Sequence, residues 1–325
     1  MNYLADDIDF SAYMRDTDAQ EKVRPASAFV EAAKAHLRAS SKVKRVYLPW
    51  TKCNEAFQFR RGEVTVWAGQ NGHGKTDVTT QVALSLVGQD EKVCVASFEM
   101  KPRTTVGRMV RMFSGTNPFS QEYQSDEGHD ALDTLYDKFG DWSNSGLWLY
   151  DQTGTAYPDT VLGMVKYCAK ELGITHIFID SLMKCVKAED DYNGQKDFVD
   201  QLCAIAKDLD VHIHLVHHLK KPAKEADMPD KHDTKGSGSI TDQVDNLFMV
   251  WRNKPKEDSL KADPRSNKQT EPDCYLLCRK QRNYEGSEDG EPSICLWRHR
   301  DAGQFVANPG DAAQFFGRYP HVESM

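Results

Sequence analysis

The sequence lacks any long uninterrupted apolar run, which excludes the simplest class of membrane protein. A helix that spans a bilayer takes about 18 or more apolar residues, and the 325 residues contain no such stretch. The first ten residues, MNYLADDIDF, are acidic and have no basic region followed by an apolar core, so we expect no signal peptide. A composition of 39% hydrophobic and 28% charged residues is typical of one large soluble domain, or of one domain with appendages, which we expect in the cytoplasm.

The chain also lacks an excess of positive charge and the cysteine pairs of common metal sites. Its net charge of −8 argues against a generally basic nucleic-acid coat, although a local basic channel stays possible. The eight cysteines are scattered and form no CxxC pair, so buried thiols in a reducing compartment are expected. Cys274 and Cys278 share one side of a predicted strand, but two further zinc ligands are missing.

Four segments can be distinguished along the chain. Residues 1–26 are polar and without periodicity, and we interpret them as mobile. Residues 27–45 carry a short helical pattern, SAFVEAAKAHLRA, which could pack on its own domain or dock on a neighbouring subunit. Residues 46–306 form the main domain, and residues 307–325 have the composition of a loop.

Strand-like and helical stretches alternate through the main domain. The predicted strands are VTVWA, KVCVASF, LWLYD, HIFID, HIHLVHH, NLFMVW, CYLLCRK and ICLWRHR. Helical patterns such as VTTQVALSLVG and FVDQLCAIAKDL separate the earlier strands. This alternation predicts an α/β fold, a mainly parallel twisted sheet with helices on both faces. The last strands follow one another without helices, so we expect the sheet to end in antiparallel hairpins.

The loop after the first of these strands reads GQNGHGKT and matches the phosphate-loop pattern GxxxxGK[ST]. Its glycines let backbone N–H groups curl around an anion, and the following helix adds its positive N-terminal end. The lysine is expected to reach the β- and γ-phosphates, and the threonine hydroxyl to bind Mg²⁺. We expect the histidine to be only a variable loop residue. The candidate nucleotide-binding residues here are Gly69, Gln70, Asn71, Gly72, His73, Gly74, Lys75, Thr76 and Asp77.

Hydrolysis needs further groups, because a phosphate loop alone does not specify a reaction. Glu99 follows an apolar strand and can orient an attacking water. Asp180 ends HIFID, the Walker B arrangement that holds Mg²⁺. His217 and His218 end a third strand, and only one of them should face the site because side chains alternate along a strand.

The order of motifs resembles that of the DnaB-like replicative helicases, most closely the Twinkle and phage primase-helicase branch. The motifs are GQNGHGKT, SFEM, FIDS, HHLKKP, KGSGSITDQVDNLFMVWRN and RKQRNYEG, spread over residues 46–306. The resemblance implies a RecA-like core assembled as a homo-oligomer, a hexameric ring that unwinds DNA at a replication fork. It further implies ATP, dTTP or another NTP with Mg²⁺ between subunits, and single-stranded DNA in the central pore.

The resemblance also implies a role for each site residue. Lys75 and Thr76 hold phosphate and Mg²⁺, Glu99 is the catalytic base, and Asp180 is the second Mg²⁺ ligand. His218, which matches the HLKxP pattern, senses the γ-phosphate.

Three cations complete the implied site. Arg282 matches an arginine finger that enters the next subunit's site, with Lys280 beside it and Arg279 as a rival. Arg252 resembles a residue that packs on the nucleotide base.

DNA contact is implied for the segment after the histidine pair. By composition alone this segment is a mixed solvated loop, because four acids lie between residues 225 and 233. In the family position its lysines and glycine-rich backbone would follow phosphates without reading bases. A second pore loop is expected near residues 184–195. The candidate DNA-binding residues are Lys220, Lys221, Lys224, Lys231, Lys235, Gly236, Ser237 and Gly238.

The sequence departs from the primase-helicases at its start. About 45 residues precede the core, so we expect a separate primase and polymerase, and the short helix at 27–45 becomes the expected subunit-docking element. A compact helicase without a primase suits a bacteriophage. The alternative is a RecA-fold, DNA-dependent ATPase that acts as a loader, recombination mediator or switch without unwinding. A small-molecule kinase would need an acceptor pocket and an arginine-rich lid, which the sequence does not indicate.

Overall fold

One β-sheet organises the molecule. The structure, a computed structural model, describes residues 2–3, 25–31, 33–34, 44–186, 191–219, 228–229, 238–283 and 293–316. The strands are β1 (Asn2–Tyr3), β2 (Val64–Gly69), β3 (Val93–Ser97), β4 (Leu147–Tyr150), β5 (His176–Asp180), β6 (His212–His218), β7 (Asn246–Arg252), β8 (Cys274–Gln281), β9 (Ser293–His299) and β10 (Gln304–Val306). The helices are α1 (Lys75–Gly88), α2 (Pro102–Ser114), α3 (Asp126–Ser143), α4 (Pro158–Lys170), α5 (Tyr192–Leu209), α6 (Gly238–Gln243) and α7 (Lys254–Ala262).

The strand order confirms the predicted α/β fold. Across the described residues the order is β1-β4-β3-β5-β6-β2-β7-β8-β9-β10. Pairing is parallel from β1 through β7, and antiparallel from β7 to β10. The predicted parallel sheet with antiparallel strands at its C-terminal end is therefore correct.

The expectation that no helix separates the late strands was wrong, because α7 lies between β7 and β8. Its sequence, KPKEDSLKA, has no apolar stripe. The helix begins instead with a cap, since the Asn253 side chain accepts a hydrogen bond from the Lys256 backbone N–H at 3.0 Å. Lys256 is buried and its Nζ lies 2.7 Å from Asp273 Oδ1. The cap and the partly buried ion pair stabilise this helix. Neither produces a hydrophobic periodicity in the sequence, so the helix was not predicted.

Apolar side chains fill both faces of the sheet. On one face, Val64, Val66 and Ala68 of β2 belong to a buried cluster that includes residues of α4 and α5. On the other face, Trp67 belongs to a cluster that includes residues of α1, α2 and α3. Successive side chains of a strand point to opposite faces. A strand buried on both faces is therefore apolar almost throughout, which explains the runs that the sequence shows.

None of the eight cysteines forms a disulfide, and seven of them are buried. Cys274 and Cys278 belong to the same buried cluster, as expected for one side of a strand. Within the described residues, no group of three or more histidine, cysteine or acidic side chains has a geometry that could hold a metal ion. Among the described helices, none combines the length and the apolar composition needed to cross a membrane.

The predicted helix at residues 27–45 is only partly within the described residues. Ala26–Phe29 forms a 3₁₀ turn, and residues 30, 31, 33 and 34 continue it as helix. Phe29 and Val30 are 50% and 45% exposed. The remainder of the predicted helix lies outside the described residues.

Residues beyond β10 pack against the domain. The side chain of Gln81, in α1, accepts a hydrogen bond from the Phe305 backbone N–H and donates to the Phe305 carbonyl, both at 2.8 Å. Its amide also donates to Gln314 Oε1, and the Gln314 amide donates to the Pro49 carbonyl, again at 2.8 Å. Phe316 is fully buried. The described part of the C-terminal segment is irregular, as expected, and is tied to α1.

Three buried histidines pack together at the amino end of the parallel strands, and two of them are hydrogen-bonded to each other. Trp67 Nε1 donates to His214 Nδ1 at 3.2 Å, so the His214 proton lies on Nε2, which is 3.1 Å from His176 Nδ1. The third member, His212, has its Nε2 2.8 Å from Thr65 Oγ1. Burial lowers the pKa of all three, and that of His212 falls to about 4. The histidine cluster is therefore neutral in the folded protein.

This neutrality makes stability depend on pH. The unfolded chain takes up protons near the ordinary histidine pKa of 6.5, whereas the folded His212 does so only near 4. The contribution of these histidines to the free energy of unfolding is thus fully present above pH 6.5 and decreases as the pH falls towards 4. In this range we expect the free energy of unfolding to fall by about 1.4 kcal/mol per histidine for each pH unit. Urea unfolding followed by tryptophan fluorescence at pH 7.5 and 5.5 measures it.

A pair of substitutions locates the effect. We expect His214→Phe to reduce the slope, whereas His129→Phe, on the exposed surface of α3, leaves it unchanged. An unaltered slope in His214→Phe would show that the cluster is not its source.

Candidate nucleotide-binding and hydrolysis site

The phosphate loop, Glu99, Asp180 and His218 meet at the carboxyl edge of the parallel strands. The neighbours β3, β5, β6 and β2 run in the same direction, so their last residues lie side by side. Ser97 pairs with Asp180, and Gly69 pairs with His218. Motifs that are far apart in sequence therefore form one site.

Glycines are required in the phosphate loop for two different reasons. A Cβ on Gly69 would lie 2.8 Å from the Val250 carbonyl oxygen of β7, so a side chain there would push the strand away. Gly74 has φ +88°, in the region that favours glycine, and a Cβ there would meet the Phe305 ring at 3.3 Å. Strand packing on one side and the Phe305 ring on the other thus fix the loop.

Lys75 lies inside the loop. Its Nζ donates to the carbonyls of Gly69 at 2.9 Å and Gln70 at 3.0 Å. The residue is only 6% exposed. Burial lowers its pKa to about 8, an effect that the negative charges of Asp180 and Glu99 partly oppose. A buried ammonium group that has only carbonyl partners is suited to an anionic ligand, because phosphate oxygens can replace those carbonyls.

Thr76 and Asp180 provide oxygen ligands for a metal ion. Thr76 Oγ1 donates to Asp180 Oδ2 at 3.1 Å, which joins the first turn of α1 to the end of β5. Burial raises the pKa of Asp180 to about 6, and the nearby charge of Glu99 contributes to this rise. A carboxylate in this state gains from a nearby cation. One hydroxyl and one carboxylate fit Mg²⁺, which binds through few protein oxygens and takes its other ligands from water and phosphate.

Glu99 and His218 form a polar pair beside this carboxylate. The Ser181 hydroxyl donates to Glu99 Oε1 at 3.0 Å, and His218 Nε2 lies 3.5 Å from the same oxygen. These hydrogen bonds, first that of His218, lower the pKa of Glu99 to about 2 against the opposing effect of burial. His217 is fully buried on the other side of the strand. The prediction that only one of the two histidines faces the site is therefore correct.

A cleft of about 660 Å³ opens on the outer side of the phosphate loop. Arg252 lines this cleft, and its Nη1 donates to the Gly72 carbonyl at 3.2 Å while its Nε pairs with Glu257. Neither Lys75 nor Asp180 lines this cleft. Its lining residues are Gly72, His73, Gly74, Asp77, Arg252, Lys256, Glu257, Leu260, Lys261, Asp273, Arg298, Arg300 and Phe305.

Sequence comparison matches most of this architecture to one family. The profile of the DnaB-like helicase C-terminal domain matches residues 53–288, which contain the phosphate loop and every strand from β2 to β8. This chain belongs to the DnaB-like helicase C-terminal domain family. The predicted relationship to DnaB-like helicases is confirmed, and the closer relationship to the Twinkle branch stays a prediction.

Individual DnaB-like relatives are distant. The replicative DNA helicase DnaB of two Helicobacter pylori strains is 25% identical over 199 residues. That match covers 60% of this chain and 41% of the relative, so the chain spans less than half the length of the curated proteins that it matches.

Two solved structures share the fold. One, of a DnaB-like replicative helicase and its interactions with primase, has a TM-score of 0.66 at 18% identity, over 91% of this chain and 69% of that one. The other, a helicase ATPase domain, has a TM-score of 0.68 at 19% identity, over 90% of this chain and 99% of that one.

Sequence reasoning missed several residues of this DnaB-like site. His73 is more than a variable loop residue, because it is buried and its Nδ1 accepts a hydrogen bond from the Arg252 backbone N–H at 3.2 Å. Arg298 Nη1 pairs with Asp77 at 2.7 Å and lies over the Phe305 ring. Ser181 directly follows the Walker B aspartate, which is the only sequence signal that pointed to it. The strand that contains Arg298 was predicted, but its contact with Asp77 joins β9 to α1 across 221 residues, and no local pattern indicates it.

The remaining predicted cations lie elsewhere. Arg279, Lys280 and Arg282 are at the end of β8, whose residue Gln281 pairs with Asn246 at the amino end of β7. They therefore lie at the sheet edge opposite their own phosphate loop. The predicted DNA-binding residues 220, 221, 224, 231 and 235–237 lie outside the described residues. Gly238 begins α6.

Replacement of the loop lysine tests the phosphate site. Lys75→Ala should abolish NTP hydrolysis, because phosphate binding loses its buried cation, and phosphate release in the presence of Mg²⁺ measures the loss. Lys138→Ala, on the exposed surface of α3, is the matched control. Full turnover in Lys75→Ala would contradict the assignment.

Proposed function

We propose that the chain is the NTP-hydrolysing part of a ring helicase that translocates on single-stranded DNA and unwinds duplex at a replication fork. The observation that carries the proposal is the division of the predicted hydrolysis groups between two edges of one sheet. In a DnaB-like chain, this division supports a site that is completed only by a second copy.

The carboxyl-edge residues supply nucleotide binding and water orientation. Lys75 binds β- and γ-phosphate oxygens, while Thr76 and Asp180 hold Mg²⁺, which when bound neutralises charge on those oxygens. Glu99 accepts a hydrogen bond from the attacking water and aligns it with the γ-phosphorus. Its low pKa makes it a weak base, which suits a loose transition state that depends more on positioning than on proton removal.

The cleft beside the loop is the proposed place for the nucleoside. Its volume of about 660 Å³ is within the range of ordinary ligand sites. The Arg252 guanidinium in this cleft can pack flat against a base. Because His73 is bonded to the Arg252 backbone, the phosphate loop and the base-packing arginine keep a fixed relation.

Arg282 is proposed to act on the nucleotide of a neighbouring subunit, with Lys280 beside it. Six strand residues separate the two sheet edges, about 20 Å at strand rise. This distance supports action in trans rather than on the subunit's own γ-phosphate. Hydrolysis would then require the ring, and each such arginine contributes about 10³-fold or more.

His218 is the proposed connection to DNA. It pairs with Gly69 in register and lies beside Glu99, and two residues later the chain enters the lysine-containing segment 220–237. A γ-phosphate bound between the loop and Glu99 would contact this histidine. Hydrolysis would then remove the γ-phosphate contact of His218, two residues before the proposed DNA-contacting segment begins.

The parts outside the core are assigned to assembly. We propose that the segment 27–45 docks on the neighbouring subunit, which the exposure of Phe29 and Val30 supports. A separate primase and polymerase would complete the fork machinery. The eight cysteines, none of which forms a disulfide, support a reducing, cytoplasmic setting.

Strand separation on a forked duplex tests the motor directly. With Mg²⁺ and ATP or dTTP, the protein should unwind the fork, and Lys75→Ala should not. DNA-stimulated hydrolysis without unwinding, on forks of either polarity, would instead favour a loader or switch.

Mixed rings test the finger. Arg282→Ala should retain nucleotide binding and lose hydrolysis, as should Glu99→Gln, because each lacks a different half of the composite site. Mixing the two should restore part of the turnover, since some interfaces then contain both intact halves. No recovery under conditions in which mixed oligomers form would contradict action in trans.

A further inference from the structure

We propose that Asp245 is the positioning residue for Arg282, and that the C-terminal turn of α6 positions Lys280 in the same way. The inference rests on the proposed function, because it concerns how the trans-acting cations are held. Neither Asp245 nor α6 belongs to the nucleotide site of its own subunit.

The Arg282 guanidinium is fixed on one side and open on the other. Its Nη1 lies 3.1 Å from Asp245 Oδ1, and its Nη2 donates to the carbonyls of Asp242 at 3.0 Å and Gln243 at 3.1 Å. Its Nε has no partner among the described residues, and the side chain is 40% exposed. A guanidinium held in this way keeps N–H groups available for an incoming phosphate.

Asp245 is itself immobilised. Its side chain is only 4% exposed, and its second oxygen, Oδ2, accepts the Val64 backbone N–H at 3.0 Å. Its backbone N–H donates to the Val64 carbonyl at 3.1 Å, and its carbonyl accepts the Arg282 N–H at 2.9 Å. One buried residue therefore joins the start of β2 to the cation-bearing end of β8. A group whose support is packed and hydrogen-bonded holds its geometry within the limits that catalysis requires.

The residue after the arginine has a similar anchor. Asn283 Nδ2 donates to Glu63 Oε1 at 2.7 Å, and the buried Asn246 amide donates to Glu63 Oε2 at 2.9 Å. Glu63 is also buried. Glu63 is next to Val64 in sequence, and Asp245 is next to it in space. These two acids thus hold the consecutive residues Asn283 and Arg282.

Lys280 is held by the same helix end. Its Nζ donates to the carbonyls of Thr241 at 2.7 Å and Asp242 at 2.8 Å, in the last turn of α6. Cations stabilise a helix C-terminus because the last carbonyls have no partners within the helix.

Substitution of Asp245 by Asn tests the role. Asparagine keeps the shape and can still accept the Val64 N–H, but loses the charge that orients Arg282. We expect Asp245→Asn to lower DNA-stimulated turnover about tenfold, a part of the ~10³-fold that an arginine finger supplies. Nucleotide affinity, measured with a fluorescent NTP analogue, should not change. Asp137→Asn removes the same charge from an exposed side chain of α3 and is the control.

Two readouts separate positioning from general stability. The double variant Asp245→Asn with Arg282→Ala should be no slower than Arg282→Ala alone, because Asp245 acts only through Arg282. Asp245→Asn should also regain turnover when mixed with Glu99→Gln. The Glu99→Gln subunit supplies a correctly held Arg282 and Lys280 to the intact nucleotide site of an Asp245→Asn neighbour.

The outcomes distinguish this inference from the function on which it depends. Wild-type turnover in Asp245→Asn, with Arg282→Ala inactive, would overturn the positioning role and leave the finger intact. Full turnover in Arg282→Ala would remove the finger, and the inference with it. Turnover that is lost and not recovered on mixing would show that Asp245 has only a structural role.

Discussion

The parallel hydrogen-bond register of β3, β5, β6 and β2 is the constraint on which the rest of the structure depends. It places Glu99, Asp180, His218 and the phosphate loop at one edge, although more than a hundred residues separate the first and last of them. A shift of one residue in the pairing register of β6 would place His217 at the site and bury His218 in the core. Burial on both faces prevents that slip, because each strand has apolar partners on both sides.

The charges of the site are arranged for a ligand that supplies both signs. Lys75 is buried and bonded to carbonyls, and its pKa is low for an amine. Asp180 is buried beside Glu99, and its pKa is high for a carboxyl. Phosphate would relieve the first and a cation the second, so a nucleotide with its metal ion satisfies two unfavourable groups at once. Glu99, bonded to Ser181 and His218, needs no such relief and stays ionised.

Much of the fold and the carboxyl-edge site could be predicted from sequence, because local patterns determine them. Apolar runs ending in Glu99, Asp180 and His218 define strands, and strands of one direction share an edge. The buried role of His73 and the pairing of Arg298 with Asp77 could not be predicted, since both arise from contacts between distant segments. The helix α7 has a cap and a buried lysine in place of an apolar stripe, so periodicity gave no sign of it. The DNA-contacting assignment depends on family position alone, because composition argues for a solvated loop.

The Gln81 contacts limit how the chain can be joined to other proteins. This buried amide in α1 holds Phe305 and Gln314, and Gln314 reaches back to Pro49. Phe305 in turn lies against the loop glycine Gly74. The irregular stretch up to Phe316 therefore stabilises α1, the helix that follows the phosphate loop. A tag or fusion partner attached beyond residue 316 leaves these contacts intact, whereas a junction at residue 306 would remove Gln314 and Phe316 from them.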